Sequence, residues 1–528
     1  MPTTVRDAVF EVLRNHGVDR IFANPGSTEV DLLTDLPEEL EFVLALHEGS
    51  VLGMATGHAI AADKPALALL HTTAGYGNAV GGLATAQANR APVVLLVGQQ
   101  DRRHLAAAPF LAGDLDGLAG SYPVSVEQPA RPGDVPGCIA RALHAATVHR
   151  GPAVVIIPMS DWSEPADEVR APAARSLVVG TAADPDAVAV LATALRDAER
   201  PALVLGSLAD DPDTWAAVAE LATALDAPVW QAAYSYRMGF DQTSPLFAGH
   251  LPPARAGLRK ALGGHDVVLV LGTHAFRQYL HDTGEFVPAT TRVLVVTDDA
   301  DEAIRSDAEL AVIAPVAAVA ACLAQDVPVR ASSPREPRPV PAPIVAEPGS
   351  AIDPGHVFAA LAERLPAEST YFEESPSTRR QLLAQLPVRA PFGFLTAGMG
   401  GLGFAVPGAV GVKLARPERP VVAIVGDGAS LYNVQALWSA QKYGVGVLFI
   451  VMSNGGYAVM DRLAHNAGAQ PPWPGFGEIS LATLAAGFGC PARRIETVGE
   501  LLAVLDEVVP GLGERTEPLV LDIAVTTN

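Results

Sequence analysis

Gly426-Asp427-Gly428 closes the apolar run Val421 to Val425, and about 25 residues further on Asn454-Gly455-Gly456 closes a second run, Val447 to Met452. Each half reads as a strand ending in a glycine-rich turn, so a carboxylate, a carboxamide and free backbone carbonyls stand side by side at one edge of a parallel sheet. Such an edge suits Mg²⁺ and a diphosphate. Magnesium takes about six hard oxygens in near-octahedral geometry, usually only one or two of them from carboxylates and the rest from water, carbonyls and substrate phosphates. Asp427, Asn454 and the Gly456 carbonyl meet that demand. The amides of Gly428 and Ala429 open a helix predicted over Ser430 to Tyr443, turning its positive end toward the anion. A lone Gly-Asp-Gly is as often a plain turn between strand and helix. The second turn at this spacing shifts the reading toward chemistry.

Strand, Gly-Asp-Gly, helix, strand and Asn-Gly-Gly together resemble the thiamine-diphosphate signature. That cofactor needs a carboxyl group on its aminopyrimidine ring, where it favours the imino tautomer so that the exocyclic nitrogen can take a proton from the thiazolium carbon. Glu48, just after the apolar segment Phe42 to Leu46, is the candidate, and an apolar setting would raise its pKa and suit it to share that proton. As a lone residue it reads more often as a charge at a helix N-terminus, and its place in a unit that otherwise matches the signature reverses that. Asn24-Pro25-Gly26-Ser27 ends the first strand and His71 ends the third. Ligands gather at the carboxyl ends of parallel strands, so Ser27, Glu48 and His71 are expected on one rim. A histidine there otherwise merely caps its element.

The elements that must carry these residues fall into three similar units. From Thr4 to about Arg170, unbroken apolar strands at Arg20 to Ala23, Phe42 to Leu46, Ala66 to Leu70, Val93 to Val97 and Ala153 to Ile157 alternate with helical segments. Runs of that kind are buried on both faces of a parallel sheet. A second set carries strands at Ala202 to Leu205, Val267 to Leu271 and Arg292 to Val296, and proline-rich Ala331 to Gly349 reads as a linker. The expectation is an α/β chain of three doubly wound parallel-sheet domains: a pyrimidine-binding domain over 1–180, a central domain over 181–330, a linker over 331–350 and a diphosphate- and metal-binding domain over 351–528.

At 528 residues the chain is too long for one core. No apolar run reaches the ~20 residues that span a bilayer, and the start has no basic region leading into an apolar stretch, so a soluble cytoplasmic protein is expected with no membrane partner. A net charge of −22 with no cluster of Lys or Arg argues against nucleic acid. Cys138, Cys322 and Cys490 are isolated, which indicates neither disulfides nor zinc, and they read as buried small hydrophobes.

Along nearly its full length the chain resembles the benzoylformate decarboxylases, a family of thiamine-diphosphate-dependent 2-oxo acid decarboxylases. The resemblance rests on Asn24 to Ser27, Leu44 to Glu48, His71 to Asn78, Val97-Gly98-Gln99-Gln100, Gly400-Gly401-Leu402-Gly403-Phe404 and the metal signature. It implies that Ser27 holds the substrate carboxylate, that His71 relays protons, and that Leu402 wedges under the cofactor and bends it. It implies further that the Gly400 carbonyl accepts from the cofactor's amino group, that Ser377 helps hold the diphosphate, that Tyr457 lines the cofactor, and that Phe110, Val459 and Leu463 line the substrate pocket. A homodimer with the cofactor between two chains, paired into a tetramer, is also implied.

Departures from the family are visible. The family's second histidine falls on Tyr279, with His281 two residues later, and His281 is favoured because imidazole titrates near neutral pH while phenol does not. Pro376 replaces a hydroxyl residue near the diphosphate, and Val459 and Leu463 differ in size from the family's pattern. The expected activity is non-oxidative decarboxylation of a 2-oxo acid, aromatic as in benzoylformate, with carboligation as a side activity. The rivals are an acetolactate-synthase-like carboligase, whose relatives often carry FAD in the central unit, and a binding protein of the same fold without catalysis.

Overall fold

The computed structural model describes residues 4–166, 180, 182–332, 335 and 346–527, so the expected boundary near residue 180 and most of the linker 331–350 lie outside the described residues. Three six-stranded parallel sheets follow one another along the chain. In the first, β1 (Arg20–Asn24), β2 (Glu41–Leu44), β3 (Ala66–His71), β4 (Val93–Gln99), β5 (Ser125–Glu127) and β6 (Ala153–Pro158) lie in the order β2-β1-β3-β4-β6-β5. The second holds β7 (Pro201–Leu205), β8 (Val229–Gln231), β9 (Phe247–His250), β10 (Val267–Leu271), β11 (Arg292–Thr297) and β12 (Leu310–Ile313), in the order β12-β11-β10-β7-β8-β9. The third holds β13 (Thr370–Glu374), β14 (Phe394–Leu395), β15 (Val421–Gly426), β16 (Leu448–Ser453), β17 (Ala492–Ile495) and β18 (Leu519–Ala524), in the order β14-β13-β15-β16-β18-β17.

Counted from its own first strand, each outer sheet runs 2-1-3-4-6-5, while the central sheet runs 3-2-1-4-5-6. The winding reverses between β1 and β3, between β7 and β10, and between β13 and β15, and the loops leaving these strands part to form the crevices where ligands bind. In the central sheet that crevice is closed by backbone. Leu208 N donates to Gly272 O at 3.1 Å, and a Cβ on Gly206 would lie 2.2 Å from that of Thr273.

Buried apolar strands match the sequence reading; the strands it did not name are mostly short or carry polar residues. β5, β9, β12, β14 and β17 lie at sheet edges, where short and charged strands resist pairing with another chain. β13 is wholly buried despite ending in Glu373 and Glu374, whose charges hid it. The single helix expected over Ser430 to Tyr443 is instead an α-turn (Asp427–Ser430), a 3₁₀ turn (Leu431–Asn433) and a short helix (Ala436–Lys442). Asn433 accounts for the break: its side chain is buried and donates to Gly403 O at 2.6 Å, pulling the backbone out of register.

Helix Glu48–Ala62 is buried at every residue from Ser50 to Ala61 because the first sheet covers one side and helix Ala405–Ala415 of the third unit covers the other. The two helices cross at backbone distance. A Cβ on Gly57 would lie 2.1 Å from Gly408 O, and one on Gly411 would lie 2.0 Å from Met54 O. One continuous apolar core therefore runs through the first and third units, from Phe22 and Leu52 to Phe372 and Val425, while the central unit has its own. Cys138 and Cys490 are buried, but Cys322 is exposed: on helix Val316–Asp326 the buried stripe is Val316, Val319, Ala320 and Leu323, and Cys322 falls on the opposite face. No helix among the described residues is long and apolar enough to cross a membrane.

Candidate active site

Asp427 is buried at the end of β15, and its carboxylate gathers the turn around it. Oδ1 accepts from Gly428 N at 2.7 Å, and Oδ2 accepts from Asn454 N at 2.8 Å and Gly455 N at 2.7 Å across the neighbouring strand end. Burial holds this carboxyl above its ordinary pKa, with the three amides pulling it back in part. A divalent cation would offset the same cost. Asn454 Oδ1 accepts from Gly456 N at 3.1 Å, which fixes the carboxamide beside the carboxylate. No group of three or more His, Cys, Asp or Glu that could hold a metal exists among the described residues, so a cation at this edge would rely on carboxamide and carbonyl oxygens, as a hard ion does. A Cβ on Gly428 would crowd the rings of Tyr457, at 2.8 Å, and Phe476, at 3.2 Å.

The loop Gly400–Gly403 stands at the same edge, held by a residue that sequence reasoning missed. Glu374 at the end of β13 accepts from Gly403 N at 2.6 Å and from Phe404 N and Ala405 N at 2.8 Å each, where helix Ala405–Ala415 begins. Burial pushes its pKa up to about 7 against those three amides. Gly400 has φ +76° and open space beside it, and Leu402 is partly exposed. Ser377 Oγ accepts from Val459 N at 3.2 Å, and Ser377 O accepts from Arg462 at 3.1 Å, tying the loop after β13 to helix Ala458–Asn466.

The first sheet presents the second group. Glu48 opens its helix, capped by His47, and accepts from Asn24 at 3.0 Å and Asn78 at 3.1 Å. Its surroundings are thus polar rather than the apolar setting expected, because the strand end and the facing helix both turn carboxamides toward it. Ser27 is exposed in the loop after β1. His71 turns Nδ1 into that loop, 2.9 Å from Thr28 Oγ1 and 3.1 Å from Glu29 Oε2. Glu29 is 1% exposed; it also accepts from Gly26 N at 2.7 Å and from the Thr28 hydroxyl. Two glycines make room: a Cβ on Gly26 would lie 2.4 Å from the His71 ring, and one on Gly98 only 1.7 Å from Glu29 Oε1. A carboxylate on Nδ1 fixes the imidazole's orientation and leaves Nε2 for proton traffic. Sequence reasoning missed Glu29, and the signal that could have found it was Gly98, a glycine interrupting an apolar strand.

The remaining expected residues are more open: Tyr457 and Val459 stand at the third sheet's edge beside Gly428 and Ser377, and none of the set is buried. Phe110 is 89% exposed, Val459 and Leu463 are half-buried on a helix with no buried residue, and Tyr457 is partly exposed. Tyr279 is exposed with its ring 6.0 Å from that of Tyr234. His281 is exposed, beside Asp282, which accepts from Ala256 N at 3.2 Å on the central unit.

Comparison with known proteins accounts for all three units. The thiamine pyrophosphate enzyme family matches in order, its N-terminal TPP binding domain over residues 3–118, its central domain over 188–323 and its C-terminal TPP binding domain over 378–523. A benzoylformate decarboxylase of Pseudomonas aeruginosa is 34% identical over 532 residues, 99% of each chain. The solved structure of a thiamine diphosphate-dependent 4-hydroxybenzoylformate decarboxylase of Rhodococcus jostii RHA1 superposes over 100% of both chains, with a TM-score of 0.93 and 31% identity. An acetolactate synthase of Arthrospira platensis is 24% identical over 554 residues, 99% of this chain and 94% of that one. The greater identity runs to the decarboxylase from end to end, and on that ground the chain belongs to the thiamine-diphosphate-dependent 2-oxo acid decarboxylases, within the benzoylformate decarboxylase family.

Proposed function

We propose that this decarboxylase acts on an aromatic 2-oxo acid of the benzoylformate type, releasing CO₂ and the aryl aldehyde. The observation that carries the reading is the His71 imidazole, pinned through Nδ1 by Glu29 and Thr28 on the rim that also bears Ser27 and Glu48. Thiamine diphosphate, when bound, supplies the nucleophilic carbon and the electron sink for the bond to CO₂. The chain's own residues do the rest. The Ser27 hydroxyl takes the substrate carboxylate, His71 moves a proton through Nε2, and Glu48 shares a proton with the cofactor's ring. Mg²⁺ is the metal assigned to Asp427, Asn454 and the Gly456 carbonyl, with Ser377, Gly428 and Ala429 around the diphosphate and Gly400 and Leu402 beside the rings. His281 is assigned the second proton relay, and Phe110, Val459 and Leu463 the substrate pocket. Assay of CO₂ and aldehyde release from aromatic and aliphatic 2-oxo acids tests this; a preference for aliphatic acids, or a condensed product of two carbonyl fragments from a yellow protein, would overturn it.

The working unit is an obligate homodimer that pairs into a tetramer, each cofactor lying between the first unit of one chain and the third unit of the other. Exposed Phe110, Tyr457 and Met460, and a helix Ala458–Asn466 with no buried residue, support this. Mixing inactive Glu48→Gln with inactive Asp427→Ala chains under subunit exchange should restore part of the activity. No recovery after proven exchange would place each site within a single chain.

A further inference from the structure

Helix Thr72–Ala88 ends at Asn89, with Arg90 left-handed (φ +53°) and Pro92 beyond, and an asparagine at such an end ordinarily serves its own turn. Here both polar atoms of its side chain leave that helix. Asn89 is fully buried; Nδ2 donates to Thr396 O at 2.8 Å and Oδ1 accepts from Gly398 N at 2.8 Å. One carboxamide of the first unit thus clasps the backbone of the third on either side of Ala397, and only one orientation of the amide satisfies both partners. The central unit holds the same segment. Thr396 N donates to Tyr236 O at 3.2 Å, and Arg277 donates to Gly398 O at 3.3 Å. Gly398 has no space to spare, since a Cβ there would lie 2.8 Å from Ala88 O and 3.1 Å from the Tyr236 ring.

The clasp fixes the near foot of the loop Gly400–Gly403. The far foot is held by Glu374 on the amides of Gly403, Phe404 and Ala405, and by Asn433 on the Gly403 carbonyl. Between the feet, Met399, Gly400 and Leu402 are exposed. Gly400 N donates back to Ala397 O at 2.9 Å, directly beside the clasp, and among the described residues nothing donates to the Gly400 carbonyl. An arch this short takes its height from its two feet. We infer that Asn89 is a positioning residue: acting through Thr396 and Gly398, it sets where the Gly400 carbonyl and the Leu402 side chain meet the rings of thiamine diphosphate. The inference rests on the assignment of Gly400 and Leu402 to those rings under the proposed function. A misplacement of about 1 Å at a reacting centre can cost about 10²-fold in rate, so a remote clasp of this kind has a measurable effect.

The test loads wild type, Asn89→Asp and Asn89→Ala with thiamine diphosphate and Mg²⁺. Cofactor affinity is measured by fluorescence titration, and exchange of the proton on the bound thiazolium carbon for deuterium is followed by NMR after acid quenching, per bound cofactor. Asp keeps the shape and the bond from Gly398 N but sets an oxygen against Thr396 O, whereas Ala removes both bonds. Exchange and kcat should fall together by ~10-fold or more in each variant, with KM and the cofactor's Kd within ~3-fold of wild type. A residue that only packs the units together would lower the unfolding midpoint or the bound fraction and leave exchange per bound cofactor unchanged. Where Asn89→Asp does not fold, Asn89→Ala alone decides. Leu402→Ala runs beside them as the direct lesion. Slowed exchange in Leu402→Ala with wild-type exchange in the Asn89 variants overturns the proposal alone; wild-type exchange in all of them overturns the assignment of the loop as well. A loss of cofactor affinity as large as the loss of exchange in the Asn89 variants also overturns the proposal.

Discussion

The first and third sheets share one strand order and put their polar groups at the same crevice, yet they fill it with opposite kinds of chemistry. At the third sheet the backbone dominates: Asp427 and Glu374 between them take six amide hydrogen bonds, and the turns expose carbonyls and open glycines. At the first sheet side chains dominate, with Glu48 held by two carboxamides and His71 held by Glu29 and Thr28. The central sheet, wound in the other order, closes its crevice with its own backbone. Under the proposed function one scaffold would serve as an ion-and-phosphate cradle where its loops are short and glycine-rich, and as a proton-handling rim where a loop is long enough to tuck a carboxylate beneath an imidazole.

The strongest test of this contrast is Asp427→Ala. Cofactor retention and turnover should both vanish while the far-ultraviolet circular dichroism stays that of the wild type, and full thiamine-diphosphate affinity would remove the cradle from the third sheet. Next comes Glu29→Gln. It keeps the shape and one acceptor oxygen but turns the other into an NH₂ donor and takes the carboxylate from Nδ1, so turnover should fall by roughly 10²–10³-fold and the pH profile of kcat should move, with cofactor affinity unchanged. An unmoved pH profile would reduce Glu29 to loop packing. His281→Ala should slow turnover by roughly 10²-fold with Tyr279→Phe near wild type; the reverse would give the second relay to the phenol. The smallest effect concerns the central rim, where burial pushes the Asp210 pKa up to about 6 from 3.8. The folded chain keeps that proton to higher pH than the unfolded chain, so the stability it contributes is full below about pH 4 and is lost as pH rises through about 6. Asp210→Asn should therefore gain on wild type between pH 4 and 7 by about 1–3 kcal/mol, read from unfolding midpoints. Parallel pH curves would deny the shift.

The third sheet's edge was legible in the sequence because everything it needs is local: an apolar run, a glycine turn and one polar residue, twice. Ser27, Glu48 and His71 were legible as strand ends. Glu29 was not, because two residues past Ser27 it resembles a surface charge, and only Gly98, on a strand two places away in the sheet, provides the room that buries it. Glu374 was hidden for a related reason: a strand ending in two glutamates breaks the apolar pattern, and its partners are amides about 30 residues later. Phe110, Val459 and Leu463, expected at the substrate pocket, had no local signal beyond the resemblance, since within one chain Phe110 is exposed and Val459 and Leu463 are only half-buried.

The crossing of helices Glu48–Ala62 and Ala405–Ala415 also sets a schedule for biosynthesis. The first helix leaves the ribosome about 340 residues before the second, which at roughly 5–20 residues per second is a delay of roughly 20–70 s. Throughout that interval a helix with no polar face, its glycines shaped to receive another backbone, has nothing to cover its outer side. A nascent or truncated chain that ends within the central unit is therefore a natural client for chaperones.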